Sequence, residues 1–247
     1  MLRAFYIFGN NFLILLKNPS GYHLLIYYIT MKKIFWFIPA ALVLFSSCNH
    51  KAVKQGSITY SIEYELPDSL KHYGDYLPKT AIVYFKGDST VSIQQAGEEA
   101  TTVITHQPTG IMQVLLRSSA AKYEVDYKKA EQTEILPPVN YSYAATAESK
   151  TIAGHKAIKY ILTDKTSGLT SEAWFSKEIS VIPNYLTTVF DTTYGVPLAF
   201  SINQNGITTK TMVKELKFEP VPEGVFTAPA GYKKITPQQF KELPVGN

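Results

Sequence analysis

The sequence predicts a mainly β protein (α+β), a curved antiparallel sheet or β half-barrel of about eleven strands with short covering helices. Three observations lead to this fold class. Apolar and polar residues alternate in many short runs, a few turn-forming residues separate most of these runs, and helical spacing is confined to three short stretches. A two-sheet sandwich is the alternative architecture for the same set of strands.

The chain contains a segment with the features of a lipoprotein signal peptide, residues 31–48, MKKIFWFIPAALVLFSSC. Lys32 and Lys33 are the charged start, and the uncharged run over 34–45 is too short to span a bilayer. A longer transmembrane helix that reached upstream would place both lysines inside the membrane, which is costly. Small residues before Cys48, the only cysteine, resemble a bacterial lipobox, and this resemblance implies cleavage before Cys48 and its acylation.

These features divide the chain into four parts. Residues 1–30 are interpreted as a mis-called N-terminal extension, with a genuine hydrophobic hairpin as the alternative. Residues 31–47 are the signal peptide, 48–56 a lipidated tether, and 57–247 a single β domain.

The charge distribution supports this division. Arg3, Lys17, Lys32 and Lys33 precede Cys48 without any acidic residue, and they account for the whole formal net charge of +4. The mature chain is therefore neutral overall, which argues against nucleic acid as a partner.

The β domain begins with a strand predicted over 57–66, where Ile58, Tyr60, Ile62 and Tyr64 occupy one face. Residues 68–78 have helical spacing of apolar side chains, and we expect a short helix there that packs on the sheet. The further predicted strands are 80–86, 90–95, 101–107, 111–118, 122–128, 144–152, 155–164, 170–177, 196–204 and 208–218.

Two more helical stretches complete the domain. Residues 182–194 place Tyr185, Leu186, Val189 and Phe190 on one side if they are helical. At the C-terminal end of the chain, Thr236 and Pro237 are typical of the start of a helix that continues to residue 243.

Several motifs follow one another along the chain: the lipobox, GxKAxKYxL over 154–162, EAWFSKEI over 172–179, GVPLAF over 195–200 and FTAPAGYKKI over 226–235. In this order they resemble the LolA/LolB-like superfamily of bacterial envelope lipoproteins. The resemblance covers nearly the whole mature chain. It implies a β half-barrel with an apolar concave face under short helices, in which some members hold acyl chains or other lipids.

The sequence offers no residues for catalysis. His50, His72, His106 and His155 lie far apart and lack metal-binding spacing, so we expect no metal and no cofactor. No GxSxG nucleophile elbow and no glycine-rich phosphate loop occurs. The prediction is a protein that is not an enzyme.

Aromatic and aliphatic side chains are the remaining candidates for a site. Ordinary core filling is one explanation for them, and a cavity for a lipid or another hydrophobic ligand is the other. The candidate cavity and lid residues are Tyr60, Tyr64, Leu70, Tyr73, Leu77, Tyr84, Tyr160, Trp174, Leu186, Val189 and Phe190.

The functional expectation is a lipid-anchored, periplasm-facing protein of the outer membrane that binds a lipid or a lipoprotein acyl chain. Asn49 follows Cys48, and the sorting rule of enteric bacteria, which retains Asp at that place in the inner membrane, agrees with delivery to the outer membrane. The alternative is an assembly module of the cell envelope that uses the curved sheet to bind a protein partner.

Overall fold

The computed structural model describes residues 5–8, 11–14, 55–136, 140–204 and 206–243. Lys32, Lys33, Cys48 and Asn49 lie outside these residues, so the predicted signal peptide and lipidation site stay predictions. The chain divides into two compact units, residues 1–51 and 52–247. In the first unit, the described residues form one antiparallel hairpin of β1 (Phe5–Phe8) and β2 (Asn11–Ile14).

The second unit is built on one sheet of twelve strands, and its mainly β fold confirms the predicted class. The strands are β3 (Gln55–Glu65), β4 (Thr80–Lys86), β5 (Ser89–Ala96), β6 (Glu99–His106), β7 (Ile111–Arg117), β8 (Lys122–Tyr127), β9 (Tyr141–Ile152), β10 (His155–Asp164), β11 (Thr170–Ser176), β12 (Val196–Gln204), β13 (Ile207–Lys217) and β14 (Lys233–Ile235).

The strand order is β14-β8-β7-β6-β5-β4-β3-β13-β12-β11-β10-β9. Neighbouring strands are antiparallel, except that β14 pairs with β8 in parallel. All eleven predicted strands occur. Strand β14 was not predicted from the sequence. Strand β3 begins two residues earlier than predicted, so that Gln55 and Gly56 belong to the sheet rather than to the tether.

The strands run between two ends of the sheet. At the end that we call proximal, the chain enters β3 at Gln55, and the turns after β4 and β6 lie beside it. At the opposite, distal end, a 3₁₀ helix over Asp68–Tyr76 joins β3 to β4. The short helix predicted over 68–78 therefore occurs, but none of its residues is buried, so the prediction that it packs on the sheet is wrong.

One face of the sheet, which we call the inner face, carries most of the core. On this face, cross-strand pairing links one residue of each strand from β3 to β8 to a residue of the next strand. These residues are Ile58, Val83, Ser92, Val103, Val114 and Val125. A large cluster of buried side chains covers β3, β4 and β9 to β13, and a smaller one covers β6 to β8 and β14. On the outer face, Val91, Ile104 and Leu115 pack under a covering segment that includes Phe226 and Tyr232.

The sheet is curved around its inner face. Phe190 contacts Tyr141 of β9, Phe175 of β11 and Phe200 of β12, with ring centroids 6.0, 5.8 and 4.9 Å away. Strands three places apart would be separated by about 14 Å in a flat sheet. The side chains of these strands converge on the Phe190 ring, as a sheet that curves toward its inner face allows.

The C-terminal helix agrees with the sequence prediction. Helix α1 (Pro237–Lys241) begins after Thr236, whose hydroxyl accepts a hydrogen bond from the backbone N–H of Gln239 at 3.1 Å. The Gln239 side chain accepts in return from the Thr236 N–H at 2.9 Å, which completes a capping box. Phe240 then packs on the smaller inner-face cluster.

Candidate functional site

The most distinctive feature of the inner face is residues 177–195, which we call the cover loop. It leaves β11 and returns to β12 at the proximal end, where Ser176 pairs with Val196, and between these points it packs on the inner face. The helical arrangement considered for residues 182–194 does not occur. The loop consists of irregular turns and one 3₁₀ turn at Thr192–Tyr194.

Contacts with distant strands hold the cover loop in place. The Asn184 amide donates to the Tyr60 hydroxyl of β3 at 3.2 Å, and both side chains are buried. The Asp191 N–H donates to the Tyr143 hydroxyl of β9 at 2.9 Å. Tyr194 stacks on the Tyr143 ring at 4.0 Å, with the ring planes 12° apart. Because these partners lie on strands remote in sequence, the loop conformation depends on the tertiary fold.

Burial also raises the pKa values of two inner-face tyrosines, Tyr60 and Tyr141. It raises the pKa of Tyr60 to about 12, against a smaller lowering by the hydrogen bond from Asn184. Burial raises the pKa of Tyr141 to about 12 as well, and the charge of Asp164 and the neighbouring Tyr143 add to the effect. Both hydroxyls therefore stay neutral at physiological pH and act only through hydrogen bonds and packing.

A cavity of about 1000 Å³ lies at the proximal end between the cover loop and the sheet. Its apolar lining comes from strands on one side and from the loop on the other, and it comprises Ile58, Phe85, Ile179, Val181, Ile182, Pro183, Phe190, Val196, Pro197 and Phe218. Pockets that hold small molecules typically measure about 300–1,000 Å³. The cavity is therefore large enough for an organic ligand, and its walls favour an apolar one.

Polar groups are concentrated on the lining near the turns. Glu178 accepts a hydrogen bond from the Lys156 N–H at 2.9 Å, and its carboxylate lies 3.8 Å from Nδ1 of His155. Asp88 and Gln107 lie on the turns that follow β4 and β6, and the Gln107 N–H donates to the Asp88 carbonyl at 3.0 Å. This edge of the cavity could receive the polar end of an amphiphilic ligand.

A second cavity, of about 530 Å³, lies against another part of the cover loop. Its lining is mixed: Ile111, Met112, Leu136, Pro183 and Val189 are apolar, and Thr105, His106, Gln107, Lys129, Gln132 and Thr188 are polar. The two cavities share Gln107 and Pro183 as lining residues.

Seven of the eleven candidate residues predicted from the sequence belong to the large cluster or pack against it: Tyr60, Tyr64, Tyr160, Trp174, Leu186, Val189 and Phe190. Of these, Phe190 lines the larger cavity and Val189 the smaller one. Phe190 is only 5% exposed and packs in the core, so it is a wall of the cavity rather than a mobile lid.

The other predicted lid residues lie elsewhere. Leu70 and Tyr73 are on the distal 3₁₀ helix and Leu77 directly follows it, at the opposite end of the sheet from the cover loop. Tyr73 is 52% exposed. Tyr64 is also distal, where its hydroxyl donates to the Pro78 carbonyl at 3.0 Å and its side chain lines a separate recess. These residues do not form one lid with the cover loop.

Strand register assigns two of the candidates, Tyr84 and Trp174, to the outer face. Tyr84 pairs with Val91, which belongs to the outer-face cluster. Trp174 pairs with Lys159, and the ammonium of Lys150 lies 4.1 Å from the centroid of its ring. An aromatic residue in an alternating strand can face either side, and the sequence pattern did not indicate which side the cover loop occupies.

Most residues that line the larger cavity were not among the candidates predicted from the sequence. Ile58 and Phe85 stand at apolar strand positions and could have been included on that signal. Ile179, Val181 and Ile182 come from irregular chain just after β11 and give no periodic signal, because their contacts are made with distant strands.

Two negative findings apply to the described part of the chain. Within residues 5–8, 11–14, 55–136, 140–204 and 206–243, no group of three or more His, Asp or Glu side chains could hold a metal ion. In those same ranges, no helix is long and apolar enough to cross a membrane.

Comparisons with known proteins leave the family open. No protein-family model and no curated protein matches the chain. Among solved structures the chain is similar to the structure of PNGF-II in the C2 space group, with 13% sequence identity and a TM-score of 0.47. The match covers 76% of this chain and 32% of that one, so the chain spans about a third of that protein. This likeness carries no argument about function, and the resemblance to LolA/LolB-like lipoproteins stays a prediction.

Proposed function

We propose that the mature chain is a lipoprotein of the outer membrane that faces the periplasm and binds a lipid or another hydrophobic ligand without catalysis. The single observation that carries the proposal is the cavity of about 1000 Å³ under the cover loop. Burial of an apolar ligand in this cavity would contribute roughly 0.8 kcal/mol for each methylene group removed from water. An acyl chain could therefore bind through its apolar surface alone.

The position of the cavity fits the proposed anchor. Phe218, which lines the cavity, follows β13 at the proximal end, where the chain also enters β3 at Gln55. Gln55 is seven positions after Cys48, and an extended chain covers about 3.5 Å for each position. Acylation of Cys48 would thus keep the proximal end within roughly 25 Å of the bilayer, close to a source of lipid.

The test is to express residues 49–247 in a bacterial periplasm and to measure bound lipid by native mass spectrometry and organic extraction. In the Ile182→Asp variant, a charge enters the cavity wall at a half-buried loop position. We expect this variant to lose the co-purified lipid. Leu169→Asp is the matched control, because Leu169 is 54% exposed in the turn between β10 and β11. The control should retain the lipid.

A second candidate is the protein-docking module, and one observation favours it. Much of the inner face between β9 and β12 is filled by aromatic rings, among them Phe175, Phe190, Tyr143 and Tyr194. A filled interior leaves the sheet surface as the means of recognition. A mature domain that carries no lipid and takes up neither added fatty acid nor phospholipid would contradict the lipid proposal and support this candidate.

A further inference from the structure

The larger cavity combines buried apolar walls with exposed carboxylates. Ile58 and Phe190 line it, and both side chains are buried. Asp88 and Glu178 line it as well, and both are exposed to solvent. The apolar walls therefore lie away from solvent, while the carboxylates border the opening. An amphiphilic ligand would bind with its chain inward and its polar end beside these two residues.

The two carboxylates belong to different parts of the fold. Asp88 lies in the turn after β4, and Glu178 is the second residue of the cover loop, which begins where β11 ends. In the strand order, β3, β13 and β12 separate β4 from β11. Because both residues line one cavity, negative charge borders its opening from two sides.

The lining of the cavity does not neutralise this charge. Among the described residues that line it, there is no lysine and no arginine. Of these residues only His155 can become positively charged, and its Nδ1 lies 3.8 Å from the Glu178 carboxylate. A protonated His155 would offset the charge of Glu178 and leave that of Asp88. The opening is therefore negative with either form of the imidazole.

Lysines that neighbour the lining residues in sequence lie farther from the opening. They are exposed and are not part of the cavity lining: Lys86, Lys156, Lys177 and Lys217. The ammonium of Lys217 pairs with the Glu215 carboxylate at 2.9 Å. Asp88 and Glu178 are therefore the carboxylates and charges that a bound polar end would meet first, together with His155.

Hydrogen bonding gives the same preference as charge. An ionised carboxylate only accepts hydrogen bonds, and its two oxygens offer about four acceptor positions. Glu178 uses one of them for the Lys156 N–H at 2.9 Å. The positions that remain call for donors on the ligand. A second carboxylate or a phosphate would bring only further acceptors to this opening.

We infer that the ligand of this cavity is a long-chain amphiphile whose polar end carries N–H or O–H donors and no negative charge. The inference rests on the proposed function and specifies its ligand class. Asp88 and Glu178 are specificity-determining residues, because they accept hydrogen bonds from an amide, hydroxyl or amine end and repel a free carboxylate. A fatty acid anion is therefore a poor ligand, although its chain suits the same apolar walls.

The experiment compares oleamide with oleate on the mature domain, residues 49–247. The probes have the same chain and polar ends of similar shape, and they differ in the charge and the donors of that end. Residues 52–247 form a compact unit with hydrophobic clusters of their own, which supports use of this domain. Each probe is delivered from cyclodextrin and its affinity is measured by titration calorimetry at pH 9, where oleate is ionised. We expect oleamide to bind at least about tenfold more tightly.

A double substitution, Asp88→Asn with Glu178→Gln, tests the two carboxylates directly. It removes both charges and keeps the observed hydrogen bonds. Asp88 accepts from the Gln107 N–H through its backbone carbonyl, and a glutamine at position 178 can still accept from the Lys156 N–H. This variant should bind oleate about tenfold more tightly than the unaltered domain does, with an unchanged affinity for oleamide.

The matched control is Asp75→Asn with Glu98→Gln. It removes the same two charges from exposed positions, on the distal 3₁₀ helix and in the turn between β5 and β6. The control should keep the preference of the unaltered domain for oleamide. An equal gain in oleate binding in the control would overturn the inference, because it would reflect the net charge of the domain rather than the cavity opening.

The outcomes separate this inference from the proposed function. Equal affinities for the two probes, or tighter binding of oleate, would overturn the inference and leave the proposed function standing. An unchanged preference after removal of both carboxylates would also overturn it, because the selectivity would then arise elsewhere. Binding of neither probe would overturn the proposed function and this inference together.

Discussion

Replacement of Phe190 by alanine should destabilise the whole domain rather than only weaken ligand binding. The Phe190 ring is 5% exposed and contacts rings on β9, β11 and β12 at centroid distances of 4.9 to 6.0 Å. Removal of a buried phenylalanine side chain typically costs about 3–5 kcal/mol, because apolar contacts are lost and a void remains. Domains are commonly stable by about 5–15 kcal/mol, so this loss is a large fraction of the total.

Urea unfolding of residues 49–247 measures this cost. Trp174 is the only tryptophan in that part of the chain, so its fluorescence reports on β11 beside the cover loop. With a denaturant slope of about 2 kcal/mol/M, the expected loss lowers the urea midpoint by about 2 M. Far-UV circular dichroism should give the same midpoint if unfolding has two states.

The matched control is Tyr73→Ala. Sequence analysis grouped Tyr73 and Phe190 as lid residues, but Tyr73 is 52% exposed at the distal end. Its removal should change the free energy of unfolding by no more than about 0.5 kcal/mol. A midpoint for Phe190→Ala within the error of the Tyr73→Ala midpoint would refute the reasoning, since it would mean that the cover loop is not packed in the core.

Three further predictions concern the loop contacts and the anchor. Asn184→Ala leaves the buried Tyr60 hydroxyl without its donor, so the unfolding free energy should fall by about 1–3 kcal/mol, and a double-mutant cycle with Tyr60→Phe should show coupling. The raised pKa of Tyr60 gives stability that is fully present below pH 10 and is lost as the pH rises toward 12. Between pH 9 and pH 11.5 the free energy of unfolding should fall by about 2 kcal/mol through this group, and the decline should be smaller by that amount in Tyr60→Phe. Cys48→Ala should abolish the incorporation of labelled palmitate into the protein, and continued labelling of this variant would contradict the lipidation prediction.

The strands were predictable because their signal is local. Alternation over 57–66 or 208–218 requires only that one face of each strand be buried, and this leaves a period of two in the chain itself. The capping box at Thr236 is equally local, since its two hydrogen bonds join residues three positions apart. Strand β14 was not predicted because a strand of three residues is too short to show alternation of apolar and polar side chains. Its partner β8 is also more than a hundred residues away in the sequence.

The candidate site was predicted only in part, because its residues are assembled by long-range contacts. The apolar spacing of 182–194 suits a helix, but the hydrogen bond of Asn184 with Tyr60 and the stacking of Tyr194 on Tyr143 hold an irregular loop instead. Alternation identified Tyr84 and Trp174 as aromatic strand positions without indicating the face toward which they point.

The sequence by itself determined a mainly β domain and the positions of its strands, since burial of one strand face is recorded in neighbouring residues. The tertiary structure alone decided which face is covered, how the cover loop is held and where the cavities lie, because those features depend on pairs of residues that the chain brings together only on folding.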